Sequence, residues 1–289
     1  MTAAEDYAAR VRAVNAQRAR LKGAPYGRSR WDAVAESYRF DPHRPLDANL
    51  AAIAEYLHPD DDLVDVGGGA GRIGLPLALR CRSLTNAEPS PGMGEAFLAV
   101  AAEARITNAS LVTADWLAAG RVTGDVVISV DVAYFVEDMA AFIRKLHQAA
   151  RRRVIVSLWV VPPPNRHAAL FRTVFGEDQV LVPGHEGVVA VAREQGIEPA
   201  VRLLPDRFTW RGDETLPATR AAAVEFALDT LEPADRVAAA ARVGTHFDEL
   251  FARAGDRYEP RWVLDGVGVL VTWETGRGEP AKRGRRPAG

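Results

Sequence analysis

The chain has 289 residues, of which 48% are hydrophobic and 26% charged, with a formal net charge of −2. That balance excludes a disordered or fibrous chain and suits one large globular domain or two small ones. A single cysteine, Cys81, excludes a disulfide framework and any multi-cysteine zinc site.

Glu5 and Asp6 stand where a secretory signal would carry bases, and the apolar run 154–161 is only strand-sized. A cytoplasmic protein without a membrane partner is expected. Charge is unevenly spread. Arg277, Lys282, Arg283, Arg285 and Arg286 against Glu279 give the last fourteen residues +4, so residues 1–275 carry about −6 by difference. A body of that sign argues against a nucleic-acid target, and the Gly/Pro/Arg-rich tail reads as disordered.

In chain order, Tyr7, Val11, Val14 and Leu21 mark a helix over 3–22, broken by the Gly/Pro segment 23–27. A short helix follows over 31–38, then another carrying Leu46, Leu50, Ile53 and Leu57. From there strands at 63–66, 83–87, 109–113, 125–130 and 153–161 alternate with helices reaching about Arg80, over 91–104 and over 136–150. This alternation predicts an α/β fold, a parallel sheet with helices on both faces. After the triple proline 162–164, helices are expected near 166–175, 186–195, 217–227 and 233–254, with strands at 200–210 and 261–273. The two late strands suggest an antiparallel hairpin at the sheet edge. The expected organisation is an N-terminal helical cap over 1–45, an α/β domain over 46–275 with insertions about 162–196 and 217–255, and a basic tail over 276–289.

Asp65-Val-Gly-Gly-Gly-Ala-Gly71 lies where the first strand hands over to a helix, so glycines there allow a tight turn and close backbone approach to a ligand. Gly69-Ala-Gly-Arg-Ile-Gly74 also satisfies the dinucleotide pattern. Glu88, 19 to 21 residues beyond the candidate glycines, can accept hydrogen bonds from two ribose hydroxyls in either register. These residues indicate a nucleoside-containing cofactor and leave both classes open.

Three further features discriminate: Asp65 two residues before the first glycine, Glu88-Pro-Ser-Pro-Gly-Met93 after the second strand, and Asp115-Trp116 after the third. Together, over roughly residues 60–160, they resemble the class I S-adenosylmethionine-dependent methyltransferases. The resemblance implies a Rossmann-like, mostly parallel sheet with a late antiparallel hairpin, S-adenosyl-L-methionine as cofactor, and methyl transfer as the activity. It implies that Gly67, Gly69 and Gly71 admit the methionine part, that Asp65 holds the loop, and that Glu88 takes the ribose. Pro89 and Met93 would flank adenine, Asp115 would accept its amino group, and Trp116 would lie beside it. Val130 and Asp131 would lie near the sulfonium, and Tyr38 would belong to a segment closing over the cofactor.

The fourth strand ends in Ser129-Val-Asp-Val-Ala-Tyr134, without the proline pair of nucleic-acid amino methylases, so a small-molecule acceptor, methylated on oxygen or nitrogen, is expected. A hydroxyl acceptor would use a base, for which His167, His185 and Asp131 are the candidates. Position 189 is Val, which removes a zincin pair with His185; no metal is expected. Trp159, Phe171, Phe175, Phe208, Trp210, Phe226 and Phe247 are candidates to roof an apolar acceptor. The alternatives are an NAD(P)-dependent oxidoreductase, for which no catalytic set is visible, and a cofactor-binding protein without catalysis. A carboxylate facing a ligand supports no core, so Glu88→Ala is expected to spare the fold.

Overall fold

The computed structural model describes residues 1–22, 29–208, 216–262 and 266–276, apart from the side chains of Ser29, Arg30, Arg207 and Phe208. The predicted break at 23–27, Trp210 and the basic tail beyond Gly276 lie outside the described residues.

α1 (Ala3–Lys22) buries Tyr7, Val11 and Val14, the residues that recur at helical spacing. α2 (Ser29–Val34) runs into a 3-10 turn over Ala35–Tyr38, and Asp47 caps α3 (Ala48–Ala54) by accepting the Leu50 N–H at 2.8 Å. β1 (Asp62–Val66) leads through the glycine turn into α4 (Gly74–Ala78), and β2 (Ser83–Ala87) into α5 (Pro91–Glu103). Ser90 at the cap and Pro91 at the first helical position start α5. β3 (Ala109–Val112), β4 (Gly124–Val130), α6 (Met139–Ala149) and β5 (Ala150–Trp159) complete the alternating part. α7 (Ala168–Phe175), α8 (His185–Glu194), β6 (Ala200–Phe208), α9 (Arg220–Leu231), α10 (Arg236–Thr245) and α11 (Phe247–Leu250) follow. The hairpin β7 (Phe251–Ala254) with β8 (Arg257–Pro260) and then β9 (Gly266–Glu274) close the described chain.

The main sheet runs β3-β2-β1-β4-β5-β9-β6. β1 to β5 pair in parallel, while β9 enters antiparallel between β5 and β6. The late strands are thus the antiparallel pair expected at the edge. Strand order reverses between β1 and β4, and open α/β sheets hold ligands beyond the carboxyl ends at such a point.

One apolar cluster packs α1, α6 and α8 on one face, and a second packs α3, α4 and α5 on the other. A third, around Leu170, Leu228, Val243, Phe247 and Trp262, joins α7, α9, α10, α11 and the hairpin into a separate mass above the carboxyl ends. Two expectations need correction. The helix read over 233–254 ends at Leu250; its last four residues are β7, folded back on β8 across Gly255, which takes φ +64°. Phe247, Leu250 and Phe251 satisfy helical spacing equally well, and this hid the strand. The helix after the glycine turn also stops at Ala78 rather than Arg80: Leu79 and Arg80 form a turn closed by the Arg80 N–H on the Leu77 carbonyl at 2.9 Å.

Candidate functional site

A cavity of about 1470 Å³ opens beyond the carboxyl ends of β1 to β5. Its floor is the glycine turn. Gly67 and Gly69 take φ +71° and +55°, which L side chains avoid. A Cβ on Gly67 would stand 2.5 Å from Val132 Cγ2, and one on Gly68 2.5 Å from Asp65 Oδ2. Only bare backbone fits there, leaving the floor open to a ligand. Gly71 does not line the cavity, contrary to expectation. A Cβ there would meet Leu75 at 2.6 Å and Phe97 at 2.8 Å, so its job is to let α4 and α5 pack beneath the turn.

Carboxylates ring the floor at successive strand ends. Asp65 is buried, and neither of its oxygens makes a well-formed hydrogen bond, though the Gly74 backbone N–H eases its charge. Burial, reinforced by the neighbouring Glu88, pushes its carboxyl up to about 7, against the pull of Arg72. Glu88, also buried, accepts the Gly69 N–H at 3.0 Å through Oε2 and the Ser90 N–H at 2.8 Å through Oε1. It therefore fixes the glycine turn and the start of α5, and the expectation that its removal would spare the fold is revised. Asp115 lines the cavity and also accepts the Leu117 N–H at 3.0 Å, so the ligand-facing and turn-capping readings coexist. Trp116 is buried with its indole N–H unpartnered, and Lys145 Nζ lies 5.0 Å from the ring centroid.

The N-terminal segment closes one side. Trp31, Val34, Ser37 and Tyr38 line the cavity, with Trp31 and Tyr38 edge to face at 5.9 Å. Asp32 accepts the Ser90 hydroxyl at 2.6 Å and the Gly92 N–H at 2.9 Å, tying α2 to the start of α5. Those two donors hold the Asp32 carboxyl below the usual carboxylate range.

Beyond β4, Asp131 takes φ +61°, a conformation Asp tolerates better than most residues. Its Oδ2 is 3.8 Å from Arg72 and its Oδ1 accepts the Tyr134 hydroxyl at 3.4 Å. Desolvation raises the Asp131 carboxyl, opposed first by Arg72 and then by the Trp159 and Tyr134 donors. Tyr134 in turn accepts the Trp159 N–H at 2.7 Å and is itself raised by burial. Pro163, Pro164, Arg166, His167, Phe171 and Phe226 form the far wall.

Tyr38, Asp65, Gly67, Gly69, Glu88, Pro89, Met93, Asp115, Trp116, Val130, Asp131 and His167 thus share one cavity. His185 does not join them. It starts α8, which packs on the sheet face against α1 and α6, away from the cavity. Of the aromatic candidates, Trp159, Phe171 and Phe226 line the wall, whereas Phe247 is core of the third cluster and Phe175 packs against it. Asp32, Arg72, Tyr134 and Arg166 were not singled out from the sequence. So too Val14, Gln17, Arg18 and Leu21 on α1, which also reach the cavity. Tyr134 was within reach, being one turn beyond the β4 end that was singled out.

The family model described as "Methyltransferase domain" matches residues 64–158, the span from β1 to β5. No curated protein sequence matches the chain. Among solved structures, the chain resembles the YcgJ protein of Bacillus subtilis at 13% identity and a TM-score of 0.53, covering 78% of this chain and 97% of that one. It also resembles a SAM-dependent methyltransferase from Geobacter sulfurreducens in complex with S-adenosyl-L-homocysteine, at 17% identity, TM-score 0.51, covering 85% and 98%. YjhP of E. coli gives 15% identity and a TM-score of 0.51, over 85% and 99%. At these identities the structures attest the fold. The fold is the Rossmann-like one of class I methyltransferases, and residues 64–158 carry a methyltransferase domain. The domain match favours S-adenosyl-L-methionine as the cofactor over the dinucleotide of the oxidoreductase alternative. The chemistry present fits that cofactor: a buried carboxylate without a well-formed hydrogen bond, two further acids and a bare-backbone floor suit a ligand carrying an ammonium, a sulfonium and ribose hydroxyls.

Proposed function

We propose that the protein methylates a small molecule on oxygen or nitrogen, and that the cavity holds cofactor and acceptor side by side. The supporting observation is its size and division. Sites for one small ligand run from about 300 to 1,000 Å³, and this one reaches about 1470 Å³, with acids at the β1 to β3 ends and a largely aromatic and proline wall, carrying Arg166 and His167, at the β4 and β5 side. When bound, S-adenosylmethionine supplies an activated methyl group.

Asp65 would face the cofactor's ammonium, Glu88 its ribose, and Asp115 its adenine amino group, with Met93, Pro89 and Trp116 around the base. Tyr38 and Trp31 would cover it, held by Asp32. Trp159, Phe171 and Phe226 would align the acceptor and exclude water, the main tasks left to the protein in such a transfer. For a hydroxyl acceptor, His167 or Asp131 would take the proton.

Incubation of the purified chain with methyl-labelled cofactor and a cell extract tests this. The expected result is label in low-mass compounds. Label confined to protein or nucleic acid would overturn the small-molecule reading.

A further inference from the structure

Arg166 is a buried cation on the far wall that the fold leaves short of partners. Its exposure is 8%, and its guanidinium lies 4.4 Å from the Trp159 ring centroid. Nε donates to the Val161 carbonyl at 3.1 Å, but Nη2 is buried without a partner, and no acceptor meets either terminal nitrogen among the described residues. Arginine presents five N–H donors in a fixed fork, so most of its capacity is unused. The position is built rather than incidental. A Cβ on Gly266 would come within 2.6 Å of Nη2 and 2.4 Å of Trp159 Cζ3, so a glycine there gives the stacked pair its room.

Two titratable groups face this guanidinium, Asp131 and Tyr134. Neither forms an ion pair or hydrogen bond with it; Asp131 instead stands 3.8 Å from Arg72 and holds the Tyr134 hydroxyl. A buried cation is normally paired, and breaking such a pair is costly. Here the missing partner has a cavity in which to sit. The segment carrying Arg166 follows β5, on the side away from the Asp65, Glu88 and Asp115 acids.

We propose that Arg166 anchors a carboxylate on the methyl acceptor, making the acceptor a small carboxylic acid with an apolar, aromatic-sized body. This rests on the methyl-transfer reading above. A planar carboxylate matches the guanidinium fork in charge and shape. A phosphate dianion would call for a second cation beside Arg166, and Arg72, which lines the same cavity, already faces Asp131. Trp159, Phe171 and Phe226 supply the apolar surroundings.

Calorimetric titration of the full chain decides it, with benzoate and indole-3-acetate as probes against benzamide and indole-3-acetamide. Each is measured with and without saturating S-adenosylhomocysteine. The acids should bind roughly 10- to 100-fold more tightly than the amides, the scale of a charge-assisted hydrogen bond. Arg166→Gln should erase the difference while S-adenosylhomocysteine affinity stays at the wild-type value. Arg166→Lys, which keeps the charge without the fork, should retain part of it. Equal binding of acids and amides by the wild type overturns the proposal and needs no variant to fold. So does an Arg166→Gln chain that keeps the preference, or one that loses S-adenosylhomocysteine instead, which would assign Arg166 to the cofactor's own carboxylate. Failure of the wild type to bind S-adenosylhomocysteine would count against the methyl-transfer reading alone, since the acid preference is read independently.

Discussion

Glu88 Oε2 accepts the Gly69 N–H at 3.0 Å, so the acid after β2 holds the turn after β1 in place. Its other oxygen caps Ser90 at 2.8 Å. One carboxylate thereby shapes both the floor of the cofactor site and the start of α5.

Glu88→Ala should therefore act twice. Loss of hydrogen bonds to a charged group costs about 1.5–3 kcal/mol, and S-adenosylhomocysteine affinity should fall on that scale. The ligand-free chain should also melt at a lower temperature, because two backbone N–H groups lose their acceptor. Titration calorimetry and thermal melting check the two effects; weakened binding with an unchanged melt would mean the turn holds itself.

Asp65 gives the site a pH dependence whose sign is fixed. Burial and Glu88 raise its carboxyl to about 7, so below that pH it is largely protonated in the ligand-free protein. The cofactor ammonium proposed to face it would favour the ionised form. Cofactor affinity should rise with pH up to about 7 and then level, with a proton released on binding below that point. Stability runs the other way. The unfolded chain ionises Asp65 in the ordinary carboxylate range, so as pH climbs from there through about 7 the ligand-free fold loses stability. Asp65→Asn should flatten both profiles, measured by titration in buffers of differing ionisation enthalpy and by melting from about pH 4 to about pH 8, which brackets the shift.

Much of this site is legible in the sequence because its residues sit where local rules place them. Asp65, Gly67, Gly69, Glu88, Asp115 and Asp131 all fall at the ends of strands or just beyond them, and strand ends follow from apolar runs and turns. Arg166 and Asp32 are different. Nothing near either in sequence distinguishes it from the many other Arg and Asp residues; each is defined by a partner far along the chain, Gly266 for one and Ser90 for the other. His185 shows the converse error. Residue type alone points to it as a base, yet it starts α8, a helix packed on the sheet face against α1 and α6. The β7 and β8 hairpin was lost because apolar spacing cannot separate a fraying helix from a short strand.

Asp32 is expected to govern how long the cofactor stays. Its carboxylate ties α2, with Trp31 and Tyr38 beyond it, to Ser90 and Gly92. Asp32→Ala should speed S-adenosylhomocysteine dissociation several-fold in stopped-flow measurements and lower melting only modestly, since Asp32 itself is exposed although the Ser90 hydroxyl it accepts is buried. The carboxyl is held below its usual range, so the latch is intact at neutral pH and is lost only as pH falls through that lowered value. An unchanged off-rate would show that α2 stays down without it.

The proton acceptor is the remaining chemical assignment, and the geometry narrows three candidates to two. His185 lies outside the cavity, so His185→Ala should turn over a hydroxyl acceptor at the wild-type rate. His167 sits on the far wall with Arg166, where an acceptor anchored there would present its polar groups. Asp131 stands nearer the cofactor side, but its oxygens already engage Tyr134 and face Arg72, which favours an orienting role. His167→Ala should then lower turnover roughly 10²- to 10⁴-fold, the range for losing a general base, with S-adenosylhomocysteine affinity intact. Asp131→Asn separates the two. If Asp131 orients, the amide keeps much of its hydrogen bonding and turnover falls modestly; if it is the base, the loss moves to this variant and His167→Ala stays active. An acceptor whose nucleophile carries no proton at working pH should be indifferent to His167, and comparing a carboxylate acceptor with a phenol on the same variant provides that control.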